Sequence, residues 1–330
     1  MSSGKLQRRP IGAWVYVSIA LVAISVPSTG FSHGARPQVI GLTVSRLPSG
    51  SVHALTDNQG VFADLNFSYK WVCEDAVYPL GRTQGLALFG EFEDTWLVAT
   101  NYGLHRSTDG GCDFTVLDHE LGTLRLAGLW RHPATNVMLV GTGLLDVVNR
   151  LFRSTDDGQT WAELPIEAVG VFKDIQWIPS DPERILLHTD EALYISDGAD
   201  QFLPFVIATD QLEFPSNFVR QVAVSPAAAG RILAVVEAGD RSRILLTTDA
   251  GGSWQDVALY DAVGISLIFD EMGQSVLAAS ASGRTWRSLD AGETWGDEII
   301  GPIGLGCLTR GRAGSVYGCS NPNDGGPWVI

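Results

Sequence analysis

The sequence predicts an all-β fold assembled from repeated four-stranded units, and three observations lead to this prediction. A motif of the form Ser/Thr-x-Asp-x-Gly-x-x-aromatic recurs, as in "LFRSTDDGQTW" at 151–161 and "TWRSLDAGETW" at 285–295. The aromatic residues that close this motif and its weaker relatives lie 41 to 52 residues apart. Short apolar runs separated by turns fill the intervals, and no stretch after residue 35 has helical periodicity over three turns.

Each repeat is predicted to contain four strands. In the segment 170–205, "DIQWI", "RILLHT", "ALYIS" and "QFLPF" are the predicted strands, and "PSDPE" and "DGAD" are predicted turns. The segment 219–258 repeats this pattern. The aromatic residues that mark the successive units are Trp71, Phe114, Trp161, Phe202, Trp254 and Trp295. A period of this size is typical of a solenoid or a propeller.

The recurring motif lies between the third and fourth strands of each unit. Its Asp carboxylate and its hydroxyl can accept hydrogen bonds from N–H groups of the same turn. Its Gly supplies a positive φ, and its aromatic side chain is expected to pack between neighbouring sheets. The complete copies comprise Ser107, Asp109, Gly111 and Phe114; Ser154, Asp156, Gly158 and Trp161; Thr247, Asp249, Gly251 and Trp254; and Ser288, Asp290, Gly292 and Trp295.

These motifs resemble the Asp-box (BNR) repeat family of sialidases, sortilin-type receptors and photosystem II assembly factor-like propellers. The resemblance covers nearly all of 38–330. The copies at 60–71 and 193–202 are degenerate: the first has Asn66 and Ser68 where Asp and Gly are expected, and the second is one residue short. The resemblance implies a β-propeller with its boxes on the face opposite the active site, and it says little about activity.

We expect seven blades, the first starting at "QVIGLTVSRLP" and the last being incomplete. The seventh unit follows Trp295 and consists of "IGLGCLTRG", "GSVYGCS" and "GPWVI". The alternative is six blades followed by an unstructured tail. Either way, residues 36–330 are predicted to form one propeller domain.

The first 35 residues have the features of a secretory signal peptide. A basic head precedes the apolar run at 14–26, and small residues follow it. We expect cleavage between Gly30 and Ala35, with an uncleaved anchor as the alternative. The mature protein would then be secreted, periplasmic or on the cell surface, without a membrane attachment.

The composition excludes some classes of partner. The chain has a formal net charge of −15, and removal of residues 1–35 takes away three basic residues, giving −18. Such a surface repels nucleic acid and anionic lipid. The hydrophobic content of 45% and the charged content of 18% are typical of a globular protein.

Four cysteines in an exported chain predict disulfide bonds. Cys307 and Cys319 fall on adjacent predicted strands of the last blade. Cys73 follows Trp71, at the predicted start of the outer strand of blade one, and Cys112 lies in the motif of blade two. We therefore expect Cys73–Cys112 and Cys307–Cys319, while pairings between blades one and seven remain open.

No cofactor or metal ion is expected. The histidines lack metal-ligand spacing, the cysteines form no CxxC, and backbone capping explains the Asp-rich turns better than Ca²⁺ binding does. In sialidases, three arginines clamp a carboxylate, and "SRLP" at 45–48 invites that comparison. Proline recurs at the same point in other repeats, which places Arg46 in the turn after strand one rather than over the central channel.

Variable loops on a rigid repeat scaffold are the predicted ligand contacts. The candidates are "GLLDVVN" at 143–149, "ATDQLEFPSN" at 208–217 and "EAGDRS" at 237–242. The favoured function is a non-enzymatic scaffold that binds a protein, peptide or glycan on the face opposite the motifs. The alternative is a sialidase-like glycoside hydrolase or lyase, which would require paired carboxylates. The sequence does not predict an oligomeric state.

Overall fold

In a computed structural model of the 330-residue chain, nearly all regular secondary structure of the described residues is β-strand. It describes residues 39–48, 50–56, 60–64, 69–73, 76–145, 147–166, 168–178, 181–196, 202–205, 218–300, 304–311, 314–320 and 327–329. The predicted signal peptide lies outside these residues. Two short 3₁₀ helices, Tyr78–Leu80 and Glu120–Gly122, accompany the strands. The prediction of an all-β fold is confirmed.

The described strands form seven antiparallel sheets, six of four strands and one of three. Sheets 1 to 3 contain β1 Val39–Val44, β2 Val52–Thr56, β3 Val61–Asp64 and β4 Tyr69–Trp71; β5 Thr83–Phe89, β6 Thr95–Thr100, β7 Gly103–Ser107 and β8 Thr115–Val116; and β9 Leu126–Arg131, β10 Met138–Thr142, β11 Leu151–Ser154 and β12 Ala162–Glu163. Sheets 4 to 7 contain β13 Phe172–Ile178, β14 Asp181–Thr189, β15 Leu193–Ser196 and β16 Phe202–Phe205; β17 Phe218–Val224, β18 Ile232–Ala238, β19 Arg241–Thr247 and β20 Gln255–Tyr260; β21 Ser266–Phe269, β22 Val276–Ala279, β23 Arg284–Ser288 and β24 Ile299–Ile300; and β25 Leu305–Arg310, β26 Val316–Ser320 and β27 Pro327–Val329.

Contacts between first strands arrange the described sheets around a common axis. Within each sheet the strands follow chain order from one edge to the other. The first strands of successive sheets contact each other, and β25 of sheet 7 contacts β1 of sheet 1. The first strand of every sheet is therefore the inner strand, and the last described strand lies farthest from the axis.

The strand order defines two faces. The hairpins between the third and fourth strands, which contain the repeated motif, lie on the same face as the hairpins between the first and second strands. We call this the turn face. The hairpins between the second and third strands and the connections between sheets lie on the opposite face. Cavities lined by the ends of the inner strands open toward the turn face, and one lined by their starts opens toward the opposite face.

The apolar core lies between the sheets. Successive side chains of a strand point to opposite sides, so a sheet between two neighbours buries both of its faces. One core cluster joins Leu97 of sheet 2 to Met138 of sheet 3, and another joins Leu233 of sheet 5 to Val276 of sheet 6. The near-continuous apolar runs in the middle strands follow from this double burial.

The repeated motif folds as a closed network of hydrogen bonds. The Ser154 hydroxyl donates to Asp156 Oδ1 at 2.8 Å and accepts from Gly158 N at 2.9 Å. Asp156 in turn accepts from the backbone N and the hydroxyl of Thr160, at 2.9 and 2.6 Å. The copies that begin at Ser107, Thr247 and Ser288 share the hydroxyl–carboxylate and Gly N–H bonds. We call these segments the repeat turns.

Each repeat turn contains two consecutive residues with positive φ, where the sequence analysis expected only the Gly. Gly158 has φ 74°, and Asp157 before it has φ 57°. Ala250 and Ala291 occupy the equivalent place, also with φ 57°. This conformation is unfavourable for residues other than Gly, and the hydrogen bonds of the turn hold it.

The aromatic residue after each repeat turn packs between two sheets. Trp161 packs against the cluster shared by sheets 2 and 3. Trp254 and Trp295 pack against the clusters shared by sheets 4 and 5 and by sheets 5 and 6, and Phe114 against the cluster shared by sheets 1 and 2. Each repeat turn is thereby anchored to the preceding sheet.

Both predicted disulfide bonds are confirmed. Cys307 and Cys319 are register partners on β25 and β26, with Cα atoms 5.1 Å apart. Cys73 and Cys112 join sheet 1 to the repeat turn of sheet 2, with Cα atoms 5.0 Å apart. The prediction that Cys73 begins the outer strand is wrong: β4 ends at Trp71, because the ladder with β3 ends at the pair Phe62–Trp71.

One strand boundary also differs from the prediction. The sequence assigns "PSDPE" at 179–183 to a turn, whereas β14 already starts at Asp181, which pairs with Ile178. The ladder has an irregularity at this point, which lets a proline-containing segment join the edge of the ladder.

We expect Trp161→Ala to lower the free energy of unfolding by about 3 kcal/mol, because it leaves a void between sheets 2 and 3. Urea denaturation of the two proteins measures the difference. The control is Phe92→Ala on the turn face, whose side chain is 71% exposed and should contribute less than about 0.5 kcal/mol. Equal effects of the two substitutions would contradict this account of the aromatic.

The aspartates of the repeat turns should make stability depend on pH. A hydrogen bond from the Thr247 hydroxyl lowers the pKa of Asp249 from 3.8 to about 2, and one from the Thr294 hydroxyl does the same for Asp290. A lowered folded-state pKa adds stability above the unfolded-state value, and this stability disappears as the pH falls toward 2.

We therefore expect the urea midpoint of the wild-type chain to fall between about pH 4 and pH 2. The variant Asp249→Asn/Asp290→Asn should lose less over the same interval because its amides do not titrate. A parallel decline in both proteins would show that these carboxylates do not contribute.

Candidate functional site

An exposed apolar patch lies on the opposite face, over sheets 3 and 4. Five aliphatic side chains form it, and Leu145 and Val148 are 68% and 52% exposed. The members of this apolar patch are Leu144, Leu145, Val147, Val148 and Val169. They line a cavity of about 480 Å³ together with Val171 and the acidic residues Asp190 and Glu191. Contiguous apolar surface of this kind marks interaction sites.

A fully buried asparagine holds the loop that carries the patch. Asn149 Oδ1 accepts hydrogen bonds from the Leu144 N–H at 2.8 Å and the Thr142 hydroxyl at 3.0 Å. Its Nδ2 donates to the carbonyls of Leu144 and Gly170, both at 2.9 Å. All four hydrogen-bonding positions of the amide are occupied, so Asn149 fixes the backbone at Leu144, next to the exposed Leu145.

The second segment of the patch is the connection between sheets 3 and 4, and hydrogen bonds hold its backbone as well. The Val169 N–H donates to the hydroxyl of buried Tyr194 at 2.9 Å. The Val171 N–H donates to Asp190 Oδ1 at 2.7 Å. Gly170 has φ 80°, and a side chain there would collide with Asp190. The aliphatic side chains are therefore presented by a rigid backbone.

Three cations surround the channel opening beside the patch. Arg82, Arg125 and Lys173 line a cavity of about 310 Å³ at the starts of the inner strands, and we call them the cationic mouth. Its other described lining residues are apolar or neutral. Val171 lines both this cavity and that of the apolar patch, so the two surfaces are continuous.

Backbone geometry places each cation. Arg82 N donates to Asn101 Oδ1 at 2.7 Å, and the preceding Gly81 has φ 107°. The Arg125 carbonyl accepts from the Gly143 N–H at 2.9 Å. Lys173 occupies an irregularity in the pairing of β13 with β14, where bulges redirect side chains.

The turn-face end of the channel holds a second cavity, of about 500 Å³. Arg46 lies in the turn after β1, as predicted. Its side chain also lines this cavity. The expectation that Arg46 does not lie over the channel is therefore wrong. The first hairpins surround the axis here, so a long side chain can reach inward. Arg46 donates to the carbonyls of His132 and Thr135 and, through its N–H, to Glu93 at 2.6 Å. These bonds tie sheets 1, 2 and 3 together.

One half-buried carboxylate lies on the inner strand of sheet 4. Asp174 accepts hydrogen bonds from the Ile175 N–H at 2.8 Å and from Gln176 Nε2 at 2.6 Å. Burial raises its pKa despite these bonds. No sequence signal singled it out, because an Asp inside an apolar strand can be recognised only from its surroundings in the fold.

Neither of the other two loops that were predicted to contact a ligand is placed at this site by the described residues. The segment 237–242 forms a tight hairpin in which Ala238 pairs with Arg241, not an open loop, because Gly239 has positive φ and permits a two-residue turn. The segment 208–217 lies outside the described residues. The four complete repeat turns lie on the turn face, away from the patch and the cationic mouth.

The part of the chain that the structure describes lacks two further features. No helix in this part of the chain is both long and apolar enough to cross a membrane. Within the same residues, no group of three or more His, Cys, Asp or Glu side chains is placed to hold a metal ion.

No protein-family model matches the chain, and no curated protein does. Among solved structures, an ancestral GH74 enzyme has a TM-score of 0.67 and 16% identity over 88% of this chain, which spans 44% of that enzyme. YCF48 bound to D1 peptide has a TM-score of 0.64 and 16% identity, with 90% of this chain and 94% of YCF48 covered.

The extracellular domain of a one component system from B. thetaiotaomicron has a TM-score of 0.64 and 10% identity, covering 90% of this chain and 38% of that one. The chain thus spans less than half the length of this protein and of the GH74 enzyme. At these identities the likeness shows the fold alone. Together with the ring of small antiparallel sheets, it shows that the chain has a β-propeller fold.

Proposed function

We propose that this chain is an exported, seven-bladed Asp-box propeller that binds a polypeptide on the face opposite the repeat turns. Residues 1–35 would be its signal peptide and 36–330 its single domain. The seven described sheets support the blade count, and the hydrogen-bonded repeat turns support the Asp-box assignment. The two disulfide bonds fit an oxidising compartment.

The observation that carries the proposal is the apolar patch. Five exposed aliphatic side chains on an ordered loop and an ordered connection form a surface that needs no large rearrangement to bind. Because Asn149 and Tyr194 already fix the backbone, little conformational entropy is lost on association. The same fold binds a peptide in the solved structure of YCF48 with D1 peptide, which supports a polypeptide over a glycan.

The alternative, sialidase-like glycoside hydrolysis, would require two carboxylates that flank the scissile bond. The described residues of the cationic mouth include no acidic side chain, whereas the apolar patch offers a contact surface. The likeness to a GH74 enzyme motivates an assay of the mature chain with a panel of oligosaccharides and with sialosides. We expect no turnover, and turnover would favour the alternative.

We expect Leu145→Ser/Val148→Ser to abolish binding of peptides that are selected from a random display library on the immobilised mature chain. Both side chains are exposed, so the variant should keep the thermal stability of the wild type. Fluorescence anisotropy of the selected peptides measures binding. The expected loss is at least about tenfold, because two aliphatic contacts of roughly 1 kcal/mol each disappear.

The matched control is Leu289→Ser, whose side chain is 74% exposed in a repeat turn on the other face. It should leave peptide binding unchanged. Binding that survives the patch substitutions, or that Leu289→Ser removes, would place the ligand on another surface.

A further inference from the structure

Two positive charges of the cationic mouth have no acidic partner among the described residues, although the protein has a net negative charge. The side chains of Arg82 and Arg125 are exposed and make no hydrogen bond or ion pair with any residue that the structure describes. The whole chain has 37 acidic and 22 basic residues. Because Arg82 and Arg125 lie at the starts of adjacent inner strands and line one cavity, their two guanidinium groups can bind the same external anion.

Other arginines on this face do have acidic partners. Arg241 pairs with Asp261 at 2.9 Å, and Arg284 pairs with Glu298 at 3.6 Å. Within the mouth, Lys173 pairs with Asp190 at 3.2 Å, which leaves the two arginines as the uncompensated charges. A guanidinium can bind a carboxylate through two parallel hydrogen bonds.

On the basis of the proposed function, we propose that the partner is a polypeptide segment in which a carboxylate stands next to aliphatic residues. The carboxylate lies on Arg82 and Arg125 at the channel opening, and the aliphatic side chains lie in the cavity of the apolar patch. The continuity of the two surfaces through Val171 places both contacts within reach of one short segment.

The acidic rim of the patch gives this segment a direction. Glu191 lies in the hairpin between β14 and β15, farther from the axis than the inner strands that start at the mouth. It is exposed and has no ion-pair partner among the described residues. It disfavours an acidic group at that end of the segment, since like charges repel. The carboxylate therefore belongs at the mouth, and it can come from a C-terminus or from an Asp or Glu side chain.

Three fluorescein-labelled peptides test this inference by anisotropy with the folded mature chain. The first is Gly-Ser-Leu-Val-Leu-Val with a free C-terminus, and the second is its C-terminal amide. The third is Gly-Ser-Leu-Val-Leu-Val-Asp-Gly amide, which carries a side-chain carboxylate only. At least one of the two acidic peptides should bind about tenfold more tightly than the first amide, and which one does so identifies the source of the carboxylate. The preference should shrink in 1 M salt.

The variant Arg82→Gln/Arg125→Gln should bind the acidic peptides only as tightly as the neutral amide, whose own affinity should not change. The control Arg287→Gln removes an exposed charge on β23 and should keep the preference. Equal affinity of the wild type for all three peptides, or a preference that survives the double variant, would overturn the inference while leaving the proposed function intact. If none of the three peptides binds, the inference is overturned, and binding of the display-selected peptides decides the proposed function separately.

Discussion

An internal sheet of this molecule has buried apolar side chains on both faces, so it is stable only between two neighbours. Sheets 2 and 3 share one core cluster and sheets 5 and 6 another, and contacts between the first and last sheets close the ring. The repeat turns also help each sheet to pack against its neighbour, at the outer edge of the ring. Each closes its outer hairpin with side-chain hydrogen bonds and sends an aromatic residue into the interface with the preceding sheet.

This arrangement separates stability from binding. The turn face carries the bonds of Arg46 across three sheets and the hydrogen-bonded repeat turns. One of these turns is joined to sheet 1 by the disulfide bond between Cys73 and Cys112. The opposite face carries loops whose side chains are exposed and whose backbones are fixed by buried polar groups such as Asn149 and Tyr194. A change in the exposed loop residues would therefore alter the proposed binding without removing any contact of the core, which is how one fold can acquire different ligands.

The sequence predicted the architecture well because its signals are local. The spacing of the aromatics, the motif between the third and fourth strands and the positions of the cysteines each report on a short segment, and a repeat makes the signals reinforce one another. It also selected the loop at 143–149. It did not reveal Asn149 as the residue that orders this loop, because the amide bonds to Gly170, 21 residues away.

The cationic mouth shows more clearly which features cannot be predicted from the sequence. Arg82, Arg125 and Lys173 are more than 40 residues apart in sequence and meet only because three inner strands start at the same end of the channel. Arg46 shows the converse: its turn was predicted, but the depth to which its side chain reaches depends on the closed ring. The sequence of a single repeat does not show that charged side chains from different repeats meet at the axis, since each repeat contributes only one of them.

Hydrogen exchange measured by mass spectrometry, with and without a display-selected peptide, tests the central claim most directly. That claim is that a rigid ring presents a preformed ligand surface on one face only. The account predicts slower exchange in 143–149 and 164–171 on binding, with unchanged exchange in the repeat turns. Protection of the repeat turns or of the turn-face cavity, with the two loops unaffected, would contradict it.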